Sequence, residues 1–136
     1  MKKIFTILSI IGIISTYNIV YADAFDEITG ITPVQKQKLN QIQYDYNQKS
    51  TALDARINEY TNKMNLVEKD TDKTPEQISL LKGAYERNLT TLKAQQKVLK
   101  KETDTLYKNI LTEEQYKQYI TNQTNVQDAF RNFVQK

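Results

Sequence analysis

Apolar residues follow two regimes along the chain. Ile4 to Ile14 is an Ile-rich apolar run without charge, placed directly after Met1-Lys2-Lys3. Beyond residue 30 the apolar positions become periodic. Leu39, Tyr46, Leu53, Tyr60 and Val67 recur every seven residues, with Ile42, Ile57 and Met64 as a second line. Ile78, Tyr85, Leu92, Leu99 and Leu106 do the same, supported by Leu81, Leu89 and Ile110. A repeat of seven predicts helices that cross at a shallow angle and stay in contact. Tyr116, Tyr119, Ile120, Gln123, Val126, Phe130 and Phe133, at three- and four-residue spacing, predict a shorter amphipathic helix. No run alternates as a strand would. The pattern therefore predicts an all-α chain with helices at 33–68, 75–109 and 113–134, the first two each roughly 50–55 Å long.

The three starts share one spelling. Thr32-Pro33-Val34-Gln35, Thr74-Pro75-Glu76-Gln77 and Thr112-Glu113-Glu114-Gln115 are Thr-x-x-Gln copies, each at the head of a periodic segment. In a capping box the Thr hydroxyl accepts from a free first-turn N–H, and the Gln side chain reaches back to the Thr N–H. Pro suits the first helical position, where its missing N–H has no partner to lose. Glu76, Glu113 and Glu114 suit the positive end of the helix dipole. Ile31 and Leu111, just before two of the caps, can act as hydrophobic staples.

The charged stretch from Glu68 to Lys73 reads as a turn, which makes the first two helices antiparallel neighbours. One midpoint near residue 72 sets Val67 against Ile78, Met64 against Leu81, Tyr60 against Tyr85, Leu53 against Leu92, Tyr46 against Leu99 and Leu39 against Leu106. Lys49 and Ser50 then face Gln95 and Gln96 in a polar layer. The starts of the first and third helices come close together. Tyr44, Tyr107 and Tyr116 lie off the seam lines and read as surface tyrosines. A two-helix hairpin with a narrow seam leaves apolar surface wet, so a homodimer is expected.

Residues 1–22 read as a cleaved secretory signal peptide: cationic start, apolar centre, and Val20 and Ala22 at the cleavage site, with Ala24 as a second option. Residues 23–30 then form a flexible arm, and 31–136 the helical domain. The 136-residue chain has no Cys and no His, and only three Gly. That removes disulfides, thiol and imidazole chemistry, His–Cys metal sites and Gly-rich phosphate loops, so no metal and no cofactor is expected. The formal net charge is +3, and the leader would take Lys2 and Lys3 with it. So balanced a chain is not expected to bind nucleic acid. Once the leader is cut, no membrane insertion is expected. An exported chain without disulfides points to the periplasm. Paired acids such as Glu113 and Glu114 fit helix capping better than acid–base work, so no enzyme is expected.

Ile31-Thr32-Pro33-Val34-Gln35 and Leu111-Thr112-Glu113-Glu114-Gln115, with the leader and helical context, resemble the duplicated motif of the LTxxQ-motif periplasmic proteins, the Spy/CpxP family. The second copy matches the motif throughout, and the first has Ile for Leu. The resemblance spans about 31–124. It implies a long helical hairpin in a cradle-shaped homodimer. It also implies ATP-independent chaperone activity toward unfolded envelope proteins, or adaptor work on an envelope-stress sensor domain. The His-rich metal sites of one branch have no counterpart here.

A chaperone without ATP needs weak, adaptable binding, with positive charge for encounter and apolar patches for holding. Ile78 to Lys101 holds six basic residues and one acidic one. Lys93, Lys97, Lys100 and Lys101 form a patch there, with Arg87 earlier on the same helix. Lys49, Arg56 and Lys63 recur every seven on the first helix, beside its seam. These eight are the candidate client-binding residues. Thr32, Gln35, Thr74, Gln77, Thr112 and Gln115 read as fold determinants. The remaining alternative is a structural helical hairpin without chaperone activity.

Overall fold

The computed structural model describes residues 25–135, and their regular structure is all helical. Helix α1 spans Pro33–Val67, α2 Pro75–Ile110 and α3 Glu113–Val134. The expected leader, and residues 23 and 24 of the expected arm, lie outside the described residues. The chain divides into two compact units. One, the terminal unit, joins the stretch through Gln43 to that from Leu106 onward; the other, the central unit, is Tyr44–Thr105.

All three Thr-x-x-Gln segments close reciprocal caps. The Thr32 hydroxyl accepts from the Gln35 N–H at 3.1 Å, and Gln35 Oε1 accepts from the Thr32 N–H at 3.0 Å. The corresponding distances are 3.2 and 2.9 Å for Thr74 with Gln77, and 3.2 and 3.0 Å for Thr112 with Gln115. Two of these boxes do more than end a helix. Gln35 Nε2 donates to Gln115 Oε1 at 2.8 Å and to the Ile110 carbonyl at 3.1 Å. That carbonyl belongs to the last turn of α2 and has no partner within its helix. Gln115, only 6% exposed, donates in turn toward Gln35 Oε1 at 3.4 Å and the Thr29 carbonyl at 3.5 Å. A Glu could close either box but has no N–H to donate across. Gln77 makes only its box contact and is exposed.

In the terminal unit these polar ends sit beside a buried cluster of Ile28, Leu39, Tyr107, Leu111 and Tyr119, with Phe25, Ile31, Ile42, Ile110 and Tyr116 packed against it. Within residues 25–30, where a flexible arm was expected, Phe25 and Ile28 therefore join the core. The reason is apolar: the Phe25 ring stacks on Tyr119 at 4.9 Å between centroids and meets Tyr107 edge-on at 4.8 Å, while Ile28 is buried. The Thr29 N–H donates to Gln118, and Gly30, with φ of 75°, turns the segment into α1. A left-handed conformation there favours glycine.

Two tyrosines expected at the surface are also inside. Tyr107 is 2% exposed and its hydroxyl donates to Gln43, while Tyr116 is half-buried against the cluster. Tyr44 is exposed. Leu106, expected in the seam, is 49% exposed. The cause is helical drift. A stripe of period seven slips by about 20° per repeat on a straight α-helix, so by the fourth repeat after Ile78 it has turned about 80°. The next residue, Tyr107, has come round to take the inward position.

In the central unit, contacts join α1 to α2 across the turn. The Tyr60 and Tyr85 rings lie 6.0 Å apart, Lys82 pairs with Glu68, and Val67 and Leu92 are buried. Lys73 and the Asp72 N–H both bind the Asp70 carboxylate, which organises the charged turn. The expected polar layer differs in membership: Gln96 meets Asp54 within the seam, while Lys49 and Gln95 are exposed.

The crossed amides make the two outer Gln residues unequal to the middle one. Gln115→Glu keeps its box but puts a buried carboxylate against Gln35 Oε1, and should cost about 2–3 kcal/mol in urea unfolding. Gln77→Glu, at an exposed cap, should stay within about 0.5 kcal/mol of the parent. Thr112→Ala should lose about 0.5–2 kcal/mol.

Candidate functional site

In the central unit one flank of the α1–α2 pair forms an open groove. Lys49, Ala52, Leu53 and Arg56 line it from α1, and Thr91, Ala94, Gln95, Val98, Leu99 and Glu102 from α2. Each set follows three- and four-residue spacing, so each is one face of its helix. The floor is aliphatic, and Val98, at 54% exposed, is open to solvent. Ala52 and Ala94 keep the walls low. At about 100° per residue, Lys49 and Arg56 fall between Leu53 and Ala52 on α1, and Glu102 between Leu99 and Val98 on α2.

All eight sequence-nominated basic residues are exposed and lie in this unit, but they do not form one site. At about 100° of rotation per residue, the line of Lys49, Arg56 and Lys63 runs along the groove flank, and Arg87 continues that flank on α2. Lys63 is already engaged: it pairs with Glu59 and sits 5.1 Å from the Tyr60 ring centroid. Hydrogen bonding from Lys63 holds the Glu59 carboxyl below its ordinary range, and the same contact raises the Lys63 ammonium. Lys93, Lys97 and Lys100 turn to the opposite flank of the pair, where α1 presents Asn47, Thr51 and Asn58. Lys101 points outward between the flanks. None of Lys93, Lys97, Lys100 and Lys101 lines the groove. The pair thus has one flank that mixes apolar and charged side chains and one polar, lysine-bearing flank.

The six cap residues bind one another and neighbouring backbone groups, as described above; Thr32, Gln35, Thr112 and Gln115 belong to the terminal unit, and none of the six lines the groove.

Sequence reading missed Ala52, Ala94 and Val98, because they lie off the heptad lines and only the paired helices give them a shared surface. It also missed Asp54. This carboxyl is 9% exposed in the seam; Oδ1 accepts from Gln96 Nε2 at 2.5 Å, and Oδ2 is buried with no hydrogen-bond partner. Burial pushes the Asp54 carboxyl above the usual carboxylate range, against the opposing hydrogen bonds of Gln96 and Ser50. Burial likewise raises the Tyr46 phenol; its hydrogen bond with Ser50 opposes this and the Asp54 charge adds to it. The Asp70 carboxyl moves the other way, lowered by Lys73 and the Asp72 N–H.

Among the described residues no cluster of three or more acidic side chains is arranged to hold a metal ion. No helix among them is long and apolar enough to cross a membrane. Comparison with protein-family models, with curated proteins and with solved structures found no match for this chain.

Asp54 gives the chain a distinctive pH signature. Its folded-state pKa is raised, so the folded state holds the proton over a window where the unfolded chain releases it. Stability from this group is greatest below the ordinary carboxylate pKa and falls as pH rises through the folded value. Asp70 and Glu59 act in the opposite sense but are common to parent and variant. Asp54→Asn should therefore be more stable than the parent at pH 7, by on the order of 1 kcal/mol, with the difference closing toward pH 3. Parallel urea titrations across that range measure it.

Proposed function

We propose that this chain is a periplasmic, ATP-independent holding chaperone of the Spy/CpxP kind, binding exposed apolar segments of unfolded or aggregation-prone envelope proteins. The observation that carries the reading is the groove flank: aliphatic side chains left open to water between two helices, with the cations Lys49 and Arg56 among them. Weak apolar holding with loosely specified charge is the chemistry a promiscuous binder needs.

The duplicated Thr-x-x-Gln motif supports the family reading through its physical role. In the terminal unit both copies are needed together, because each Gln caps its own helix and bonds to the other. A motif maintained by such mutual dependence is expected to occur in pairs. The finer architecture we propose with it is a long antiparallel helical hairpin that dimerises into a cradle. The exposed Leu66, Leu80, Phe133 and Val134 add apolar surface available for clients or a second copy.

The two flanks imply a division of labour. Lys93, Lys97 and Lys100 supply long-range attraction, and the groove with Lys49 and Arg56 supplies the hold. The chain without its leader should suppress aggregation of several unrelated unfolding proteins at near-stoichiometric amounts without ATP, as read by light scattering. Reversing Lys93, Lys97 and Lys100 together should slow association and flatten its salt dependence, with dissociation little changed. No suppression with any client would turn the reading toward a dedicated sensor adaptor.

A further inference from the structure

We propose that the middle of the α1–α2 seam in the central unit is a proton-operated clasp. With Asp54 protonated the two helices close over it. With Asp54 ionised the layer around it opens to water while the terminal unit stays closed. This device rests on the geometry of the seam and goes beyond the holding-chaperone reading, which it does not require.

The central unit has little apolar burial to hold it. Its buried residues are Val67 and Leu92, which are apolar, and Asp54 and Thr103, which are polar. The terminal unit buries the five apolar side chains of its cluster and, of polar ones, Gln115. Val67 ends α1 beside the turn, so farther along the seam Leu92 shares the buried positions with Asp54 and Thr103. A segment with few buried apolar contacts opens locally at lower cost than the whole fold. One polar group can therefore decide whether this stretch is shut.

Asp54 is placed to make that decision. It is 9% exposed, Gln96 Nε2 donates to Oδ1 at 2.5 Å, and Oδ2 is buried with no hydrogen-bond partner. An ionised carboxylate can only accept, and the Gln96 amide serves one of its two oxygens. Closed and ionised, the seam holds a charge with one bare oxygen, which is costly. Two changes relieve it. A proton removes the charge and turns one oxygen into a donor. Failing that, the helices part locally and water reaches Oδ2. The closed form binds the proton more tightly than the open form, so low pH selects closure and rising pH selects opening.

The groups around Asp54 leave the layer under its control. Along α1, Ser50 hydrogen-bonds to the carboxyl and has no charge to change, and the Tyr46 phenol is held above its ordinary value chiefly by burial. From α2, Gln96 has no charge to change either. The cations on the lysine-bearing flank, Lys93, Lys97 and Lys100, are exposed, and none is ion-paired with Asp54 among the described residues. Leu53 and Gln95, the chain neighbours of Asp54 and Gln96, line the groove, so movement of the clasp reaches that surface.

The test uses the chain without its leader. Followed by NMR, the Asp54 carboxyl carbon should titrate above the ordinary carboxylate range. Native-state hydrogen exchange, corrected for the intrinsic rate at each pH, reads the opening. Protection of amides in 50–57 and 92–99 should fall about fivefold between about pH 4 and about pH 7. Asp54→Asn keeps an acceptor for Gln96 and cannot ionise, so its protection there should lack this step. Amides of 36–42 and 115–119, in the terminal unit, should behave alike in parent and variant. Gln96→Leu, which strips the donor from Oδ1, should move the carbon titration further upward and widen the step.

An Asp54 titration in the ordinary range overturns the proposal. So does a step of the same size in Asp54→Asn. A step that runs equally through both units also overturns it, because Asp54 then acts on the whole fold and not on a local clasp. If Asp54→Asn fails to fold, the carbon titration and Gln96→Leu decide the matter.

Discussion

Three helix ends meet at one side chain. Gln35 closes the first turn of α1 with its oxygen, and its amide nitrogen reaches both the last turn of α2 and the Gln that opens α3. Helix termini carry backbone groups that the helix itself cannot satisfy, and burying them unpaired is costly. Here that constraint is met by pairing termini through two amides. The arrangement requires amides in particular, since each must accept within its own cap and donate to the other. The apolar cluster of Ile28, Leu39, Tyr107, Leu111 and Tyr119 can close around these ends only because the polar groups beside it are already satisfied.

Much of the helical organisation was legible in the residues. Pro33, Pro75 and the repeated Thr-x-x-Gln spelling marked the helix starts, because capping is a local chemistry that depends on neighbours in sequence. Tyr60 against Tyr85 followed from a single turn position. What escaped the reading was what local pattern does not contain. A strict repeat of seven, extended over four turns of the pattern, selected Leu106, while the true helical rotation selected Tyr107. Residues 25–30 looked like an arm because they are few and carry no period, yet Phe25 and Ile28 supply two apolar contacts that a core of this size uses.

The candidate site shows the same division. The cations were visible individually, but only rotation about each axis separates Lys49 and Arg56 from Lys93, Lys97 and Lys100. The groove that Lys49 and Arg56 line also needs Ala52, Ala94 and Val98, which are unremarkable in a list of residues. Asp54 gave no sequence signal either, since an acid beside a heptad line usually points to water. Its burial, with one oxygen unpaired, places a costly polar group between the two helices.

The two units also differ in how far along the chain their contacts reach. Asp54 to Gln96 spans 42 residues, and the contacts nearer the turn span fewer. Gln35 to Gln115 spans 80, and Thr29 to Gln118 spans 89. Loop-closure entropy and contact order favour the nearer pairings in time. On a chain synthesised from its N-terminus, Phe25, Ile28 and the first turn of α1 emerge long before Tyr107, Gln115 and Tyr119, which complete their surroundings. The opening segment must wait, apolar and uncovered, for nearly the whole polypeptide to arrive, so the last helix acts as the latch on a fold whose first residues are already out.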